Sequence, residues 1–115
     1  MSPEEIAAAL TQLVDRAHEK GIKVIGATLL PFEGTTIAGF FSPEKEIKRL
    51  AVNHWIRTTR KFDAVIDFDM ITRDPGHPAR LRPEFDGGDH LHPSDAGHQA
   101  MGEAIPLRLF DDPRE

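Results

Sequence analysis

The sequence predicts an α/β fold built around one parallel strand–helix–strand unit. Three observations lead to this prediction: two helix starts share the residues Ser-Pro-Glu, a short apolar run follows each of these helices, and a third helix pattern follows Ser94. Strands joined through a helix are parallel, with a right-handed crossover, and ligands bind beyond their carboxyl ends. We therefore expect two main strands and about three helices.

The first helix is predicted from Ser2 onward. Ser2 suits the N-cap and Pro3 the first helical position, and Glu5 completes the spacing of a capping box. Gly21 is placed to end the helix. The apolar residues recur at helical spacing, which predicts one buried stripe: Ile6, Leu10, Leu13, Val14 and Ala17.

The first strand and second helix follow directly. Ile22 to Leu30 is nearly continuous in apolar residues, as is typical of a strand buried on both faces, and Pro31 ends it. Pro31 to Phe41 is predicted to be a loop. The second helix begins after Ser42, and we expect its inner face to contain Ile47, Leu50, Ala51 and Trp55.

The second strand is predicted over Phe62 to Phe68. Asp69 to Gly88 is then a long loop rich in proline, glycine, aspartate and arginine, and loops of this length are often functional. Ser94 is the expected N-cap of a third helix, which Pro106 kinks or ends. Its apolar positions are Ala96, Ala100, Met101, Ala104 and Ile105.

Composition limits the classes of function. The 115 residues make one ordinary domain, and 39% hydrophobic with 29% charged residues is typical of a folded globular protein. A net charge of −5 argues against nucleic acid or an anionic membrane as the main partner. The absence of cysteine excludes disulfides, thiolate zinc sites and a cysteine nucleophile. The acidic start and the lack of a long apolar run predict no signal peptide and no membrane span, hence a cytoplasmic protein as written.

Three of the six histidines lie in nine residues, directly around the third helix start. One interpretation is a polar loop whose side chains cap the helix or face water. A second is a metal site formed by His90, His92, His98 and a nearby carboxylate. A third is a catalytic pair in which Asp89 accepts a hydrogen bond from one imidazole nitrogen of His92. The other nitrogen is then open to act as a general base, and Pro93 restricts the backbone of His92.

A family resemblance favours the third interpretation. The residues Asp89-His90-Leu91-His92-Pro93, with the terminal helix after them, resemble the Asp-X-X-His-Pro block of the SGNH (GDSL-type) hydrolases. The stretches Val24 to Gly34 and Ala51 to Asp69 resemble the fourth strand, the next helix and the fifth strand of that family. The resemblance implies part of a flavodoxin-like three-layer fold with a five-stranded parallel sheet. It also implies that Asp89 orients His92, which acts as general base for a serine that attacks an acyl ester.

The resemblance covers only the C-terminal half of such a domain, here residues 1–115 as a single segment. No Gly-Asp-Ser nucleophile motif and no oxyanion-hole block occur, so we expect little activity from the chain alone. We also expect no cofactor and no metal. Ser94 as a substitute nucleophile, Arg80 or Arg82 as contacts for an anionic group, and a non-enzymatic interaction module remain alternatives. The chain fits a truncation, a split gene product or a degenerate homologue, and the parent enzyme could be secreted. An incomplete sheet predicts a homodimer or a complementing N-terminal fragment.

Overall fold

The computed structural model describes residues 1–111. Four α-helices are present there: α1 (Pro3–Glu19), α2 (Pro43–Thr58), α3 (Phe68–Thr72) and α4 (Asp95–Glu103). The strands are β1 (Ile25–Ala27), β2 (Ala64–Ile66), β3 (Arg73–Asp74) and β4 (His77–Leu81). Short 3₁₀ turns occupy Pro83–Phe85 and Leu107–Phe110. None of the helices in this part of the chain has the length and apolar content needed to cross a bilayer.

The parallel strand–helix–strand unit is confirmed. β1 pairs with β2 in parallel, with Gly26 opposite Val65, and α2 makes the crossover between them. Both strands are shorter than the apolar runs that predicted them, and Ala27 and Val65 are exposed. The expectation of a strand buried on both faces is therefore wrong within the described residues. β1 has no strand partner there on its other edge.

The predicted helix starts are confirmed. The Ser2 hydroxyl oxygen accepts a hydrogen bond from the N–H of Glu5, and the Glu5 carboxylate accepts the backbone N–H of Ser2, which completes the capping box. Ser42 and Ser94 cap α2 and α4 in the same way, each through its hydroxyl oxygen. Gly21 follows the end of α1 with a φ of 72°, a conformation that glycine adopts without strain.

The predicted inner face of α2 is wrong. The structure buries Arg49, Val52, Asn53 and Ile56, whereas Ile47 is 67% exposed and Leu50 is also exposed. Asn53 bridges the backbone of Leu29: its amide donates to the carbonyl at 3.0 Å and its oxygen accepts the N–H at 2.7 Å. Polar side chains occupy the inner face because each finds hydrogen-bond partners there. In α1, Val14 is buried as expected but Leu13 is exposed.

The long loop predicted for Asp69 to Gly88 is also incorrect. This segment contains α3, an antiparallel hairpin of β3 and β4, and the first 3₁₀ turn. Pro75 and Gly76 form the hairpin turn, where the N–H of Gly76 donates to the Asp74 carboxylate at 2.9 Å. The N–H of Glu33 donates to the carbonyl of Ala79 at 3.0 Å, which attaches the hairpin to the loop after β1.

Candidate active site

The candidate site lies on the loop that runs from Asp86 to Pro93 into α4. Asp86 and Pro93 form an isolated antiparallel bridge, and the N–H of Gly87 donates to the carbonyl of His92 at 2.9 Å. A Cβ atom on Gly87 would lie 2.9 Å from that same carbonyl oxygen, so the close approach of the two backbones requires glycine. The loop is thus closed on itself and held at the start of the helix.

Asp89 and His92 lie within hydrogen-bond distance inside this loop. Nδ1 of His92 is 2.6 Å from Oδ2 of Asp89. The other carboxylate oxygen accepts the N–H of Leu91 at 3.0 Å and that of His92 at 2.9 Å. The backbone N–H of His92, followed by its side chain, holds the pKa of Asp89 well below its usual range.

This geometry fixes the tautomer of a neutral His92. An ionised carboxylate accepts from Nδ1–H, so a neutral His92 carries its proton on Nδ1 and presents Nε2 as an acceptor. The side chain of His92 is 72% exposed, and Nε2 has no hydrogen-bond partner among residues 1–111. The arrangement can accept a proton from a group that approaches from outside this part of the chain.

The three histidines do not converge on one point. His90 pairs through Nδ1 with Asp86, not with the Asp89 carboxylate that binds His92. His98 lies on α4 and is exposed. In the stretch from Met1 to Asp111, no three histidine, aspartate or glutamate side chains are grouped closely enough to hold a metal ion.

The serine hydroxyls are used as helix caps. The hydroxyl of Ser94 donates to the carbonyl of Glu84 at 2.8 Å and accepts the N–H of Gly97 at 3.1 Å. Ser2 and Ser42 accept backbone N–H groups in the first turns of their own helices. A serine committed to two such bonds is a poor nucleophile, so Ser94 serves here as the N-cap of α4.

The two loop arginines have partners within the protein. Nε of Arg80 donates to Glu33 at 2.9 Å, and His77 contacts the same carboxylate. The Arg80 guanidinium in particular holds the pKa of Glu33 below its usual range. The guanidinium carbon of Arg82 lies 5.9 Å from the centre of the Phe85 ring. Among the described residues, Nε of Arg82 is buried and has no hydrogen-bond partner.

A network of ion pairs beyond the carboxyl ends of β1 and β2 was missed from the sequence. Asp69 is fully buried and contacts three arginines. Thr28, at the end of β1, accepts the N–H of Asp69 at 2.9 Å and donates its hydroxyl to Asp67 at 2.9 Å. The one available signal was the position of both aspartates directly after a strand, where parallel sheets gather functional groups.

An apolar cleft of about 330 Å³ lies beside the same loop. Leu91, between the two members of the dyad, forms part of its wall. The apolar wall is completed mainly by residues after β1 and on α2: Leu29, Leu30, Phe32, Phe40 and Val52. The loop that carries the dyad therefore borders both solvent and an apolar cleft.

Comparisons with known proteins agree with this fold. A presumed acylhydrolase from Bacteroides fragilis superposes with a TM-score of 0.70 at 20% identity, covering 95% of this chain and 52% of that protein. A GDSL-like lipase from Bacteroides thetaiotaomicron gives 0.68 at 19% identity, covering 95% and 53%. These likenesses establish the SGNH-hydrolase fold, of which the chain spans about half. No curated protein sequence is significantly similar.

The family assignment rests on a match over most of the chain. The sequence profile of the GDSL-like lipase/acylhydrolase family matches residues 1–100, which contain the loop with Asp89 and His92. The chain belongs to the GDSL-like lipase/acylhydrolase family.

Proposed function

We propose that this chain supplies the general base of a serine-dependent acylhydrolase site. The observation that carries the proposal is the 2.6 Å contact between Asp89 Oδ2 and His92 Nδ1, with Nε2 exposed. The nucleophilic serine and the oxyanion donors come from a segment outside these 115 residues, which hold no Gly-Asp-Ser motif. We propose that the substrate is an ester of a carboxylic acid, in keeping with the GDSL-like lipase/acylhydrolase family.

Each proton transfer follows from the tautomer that Asp89 imposes. Nε2 of His92 accepts the proton of the serine hydroxyl as the oxygen attacks the ester carbonyl. The imidazolium so formed donates that proton to the leaving alcohol oxygen, and a water molecule repeats the sequence to release the acid. Asp89 stays ionised and stabilises the imidazolium, because its pKa lies far below neutral pH.

The chain alone is expected to hydrolyse an activated ester no faster than free imidazole does. Each of its three serines caps a helix, so none is placed to attack a carbonyl. We propose that a partner completes the domain, either a complementing N-terminal fragment or a second copy that covers the open sheet. Only the fragment would bring the nucleophile. With a second copy alone, the chain would act as a non-enzymatic module.

The test is a chimera that rebuilds a whole domain. The N-terminal half of the B. thetaiotaomicron GDSL-like lipase is fused before Met1, and turnover of p-nitrophenyl butyrate is measured. We expect saturable turnover that falls by at least about 10³-fold in His92→Ala. The matched control is His98→Ala, because His98 is exposed and its side chain has no hydrogen-bond partner among residues 1–111. Equal rates in the two variants would refute the role of His92.

A second measurement needs only the chain itself. The Nδ1 proton of His92 should give a low-field ¹H resonance, because a hydrogen bond to an ionised carboxylate deshields it. Asp89→Asn should remove that resonance while the other imidazole signals stay unchanged. A spectrum of the parent chain without this proton at low temperature would show that the dyad does not form in solution.

A further inference from the structure

A second aspartate–histidine pair lies directly before the dyad. One oxygen of Asp86 accepts the N–H groups of Gly88 at 2.8 Å and His90 at 3.0 Å, and the other contacts Nδ1 of His90. This repeats the arrangement in which Asp89 holds His92. An ionised Asp86 therefore orients the imidazole of His90 as Asp89 orients that of His92, with Nε2 as the remaining nitrogen.

The backbone of His90 adopts a conformation that favours glycine. Its φ is 54°, whereas Gly88 and Gly34 supply the other positive values nearby. A residue with a Cβ atom is strained in that conformation, and such strain is concentrated at functional sites. A glycine would close the same turn without strain, so turn formation does not explain an imidazole here. The His90 side chain is 46% exposed and within reach of a ligand.

Arg80 lies next to this imidazole, across a space left by Gly34. A Cβ atom on Gly34 would lie 3.6 Å from Cγ of His90 and 3.7 Å from Cζ of Arg80. The same loop donates the N–H of Thr36 to the carbonyl of Asp89 at 3.1 Å, which joins this surface to the dyad. His90, Arg80 and His92 thus belong to one continuous exposed surface.

The charges on this surface select a neutral, hydroxyl-bearing ligand. Among the described residues, Glu33, Asp86 and Asp89 place three carboxylates around it, and the guanidinium of Arg80 is already paired with Glu33, so an anionic group is disfavoured. A neutral His90 with its proton on Nδ1 offers Nε2 as an acceptor for a hydroxyl proton. The terminal N–H groups of Arg80 are donors for a hydroxyl oxygen.

We infer that His90 is a specificity-determining residue that binds a free hydroxyl group on the alcohol part of the ester. The substrate class is then an ester of a polyol or a sugar, whose unreacted hydroxyl groups contact His90 and Arg80 while the ester bond lies at His92. The inference rests on the proposed function for the ester itself. The hydroxyl site depends only on residues of this chain.

Ligand-observed saturation-transfer NMR on the full chain tests the site with a matched pair of esters. Glycerol monobutyrate carries two free hydroxyl groups that propyl butyrate lacks. We expect the chain to prefer glycerol monobutyrate by about three- to tenfold in Kd, the effect of one or two hydrogen bonds. His90→Gly should abolish the preference, leave propyl butyrate binding unchanged and keep the fold, because glycine relieves the strain. His98→Gln should retain the preference.

Each other outcome also has a definite meaning. Equal binding of the two esters by the parent chain, no binding of either, or a preference that survives in His90→Gly would each overturn the inference. Failure of the proposed function is separate, because His92→Ala removes the base but leaves His90 and Arg80 in place. A His90-dependent preference alongside a chimera whose activity ignores His92 would refute the dyad and retain the hydroxyl site.

Discussion

Replacing Asp69 by asparagine is the sharpest test of what holds the strand ends together. The carboxylate is fully buried, and Oδ1 accepts from Nη1 of Arg49 at 2.7 Å. Oδ2 accepts from Arg57 at 2.8 Å and from Arg73 at 3.1 Å. Asparagine keeps the size of the side chain but removes its charge, and it places an NH₂ group against arginine N–H donors.

The expected cost follows from the burial of Arg49. Its side chain is only 2% exposed, so loss of Asp69 leaves a guanidinium that water cannot solvate. Breaking a buried ion pair from one side costs about 3–5 kcal/mol. Arg49 retains Glu46 at 2.6 Å and the carbonyl of Leu29 at 3.1 Å, which places the estimate near 3 kcal/mol, at the lower end of that range. For a domain of this size, the midpoint temperature should fall by roughly 10–15 °C.

Urea unfolding followed by far-UV circular dichroism at pH 7 measures this change in free energy. The matched control is Asp15→Asn, because Asp15 pairs with Lys61 at 3.5 Å while both side chains are about half exposed. Exposed pairs contribute about 0–1 kcal/mol, so the control should unfold almost like the parent. If the two variants lose the same small amount, the buried network does not stabilise the fold and our reasoning about it is wrong.

Two further expectations concern the stability of the fold at low pH and the oligomeric state. Arg57 in particular lowers the pKa of Asp67 to about 2, so Asp67 adds about 1 kcal/mol of stability above pH 4, after solvent screening. That stability is lost as the pH falls toward 2, and Asp67→Asn should flatten this part of the urea-midpoint profile. Light scattering at micromolar concentration should show a dimer or larger species, because one edge of β1 has no strand partner in residues 1–111. A compact, cooperatively melting monomer would contradict the second expectation.

Local features of the fold were predictable from the sequence because they depend on neighbouring residues. A serine followed by proline and glutamate forms a helix N-terminus through contacts within one turn, and both Ser2 and Ser42 do so. The approach of Asp89 to His92 is local in the same sense, since the two residues are three positions apart. Whether Asp89 and His92 act in catalysis is tested by the ester turnover of the chimera.

Features that depend on distant residues were not predictable. Asp69 meets Arg49 and Thr28, which lie 20 and 41 positions away, and no periodicity encodes those pairings. The hairpin of β3 and β4 escaped detection because the alternation of apolar and polar residues in His77–Leu81 covers only its last three residues and Pro78 lies inside the strand, where proline is uncommon. It is instead anchored to the loop after β1 by the backbone hydrogen bond from Glu33 to Ala79, and to Asp69 by Arg73.

The mixed polarity of both faces of α2 joins the fold to the proposed incompleteness of the site. A helix normally buries its apolar stripe, but α2 buries Arg49 and Asn53 beside Val52 and Ile56, while Ile47 and Leu50 face solvent. A helix with partners on two sides explains both faces. The ends of the strands supply hydrogen-bond partners for the buried polar side chains, and a partner protein would cover the exposed apolar ones. Exposed apolar surface of this kind marks an interface. The partner that we propose to bring the nucleophile would therefore also cover Ile47 and Leu50, so that assembly and activity would arise in the same step.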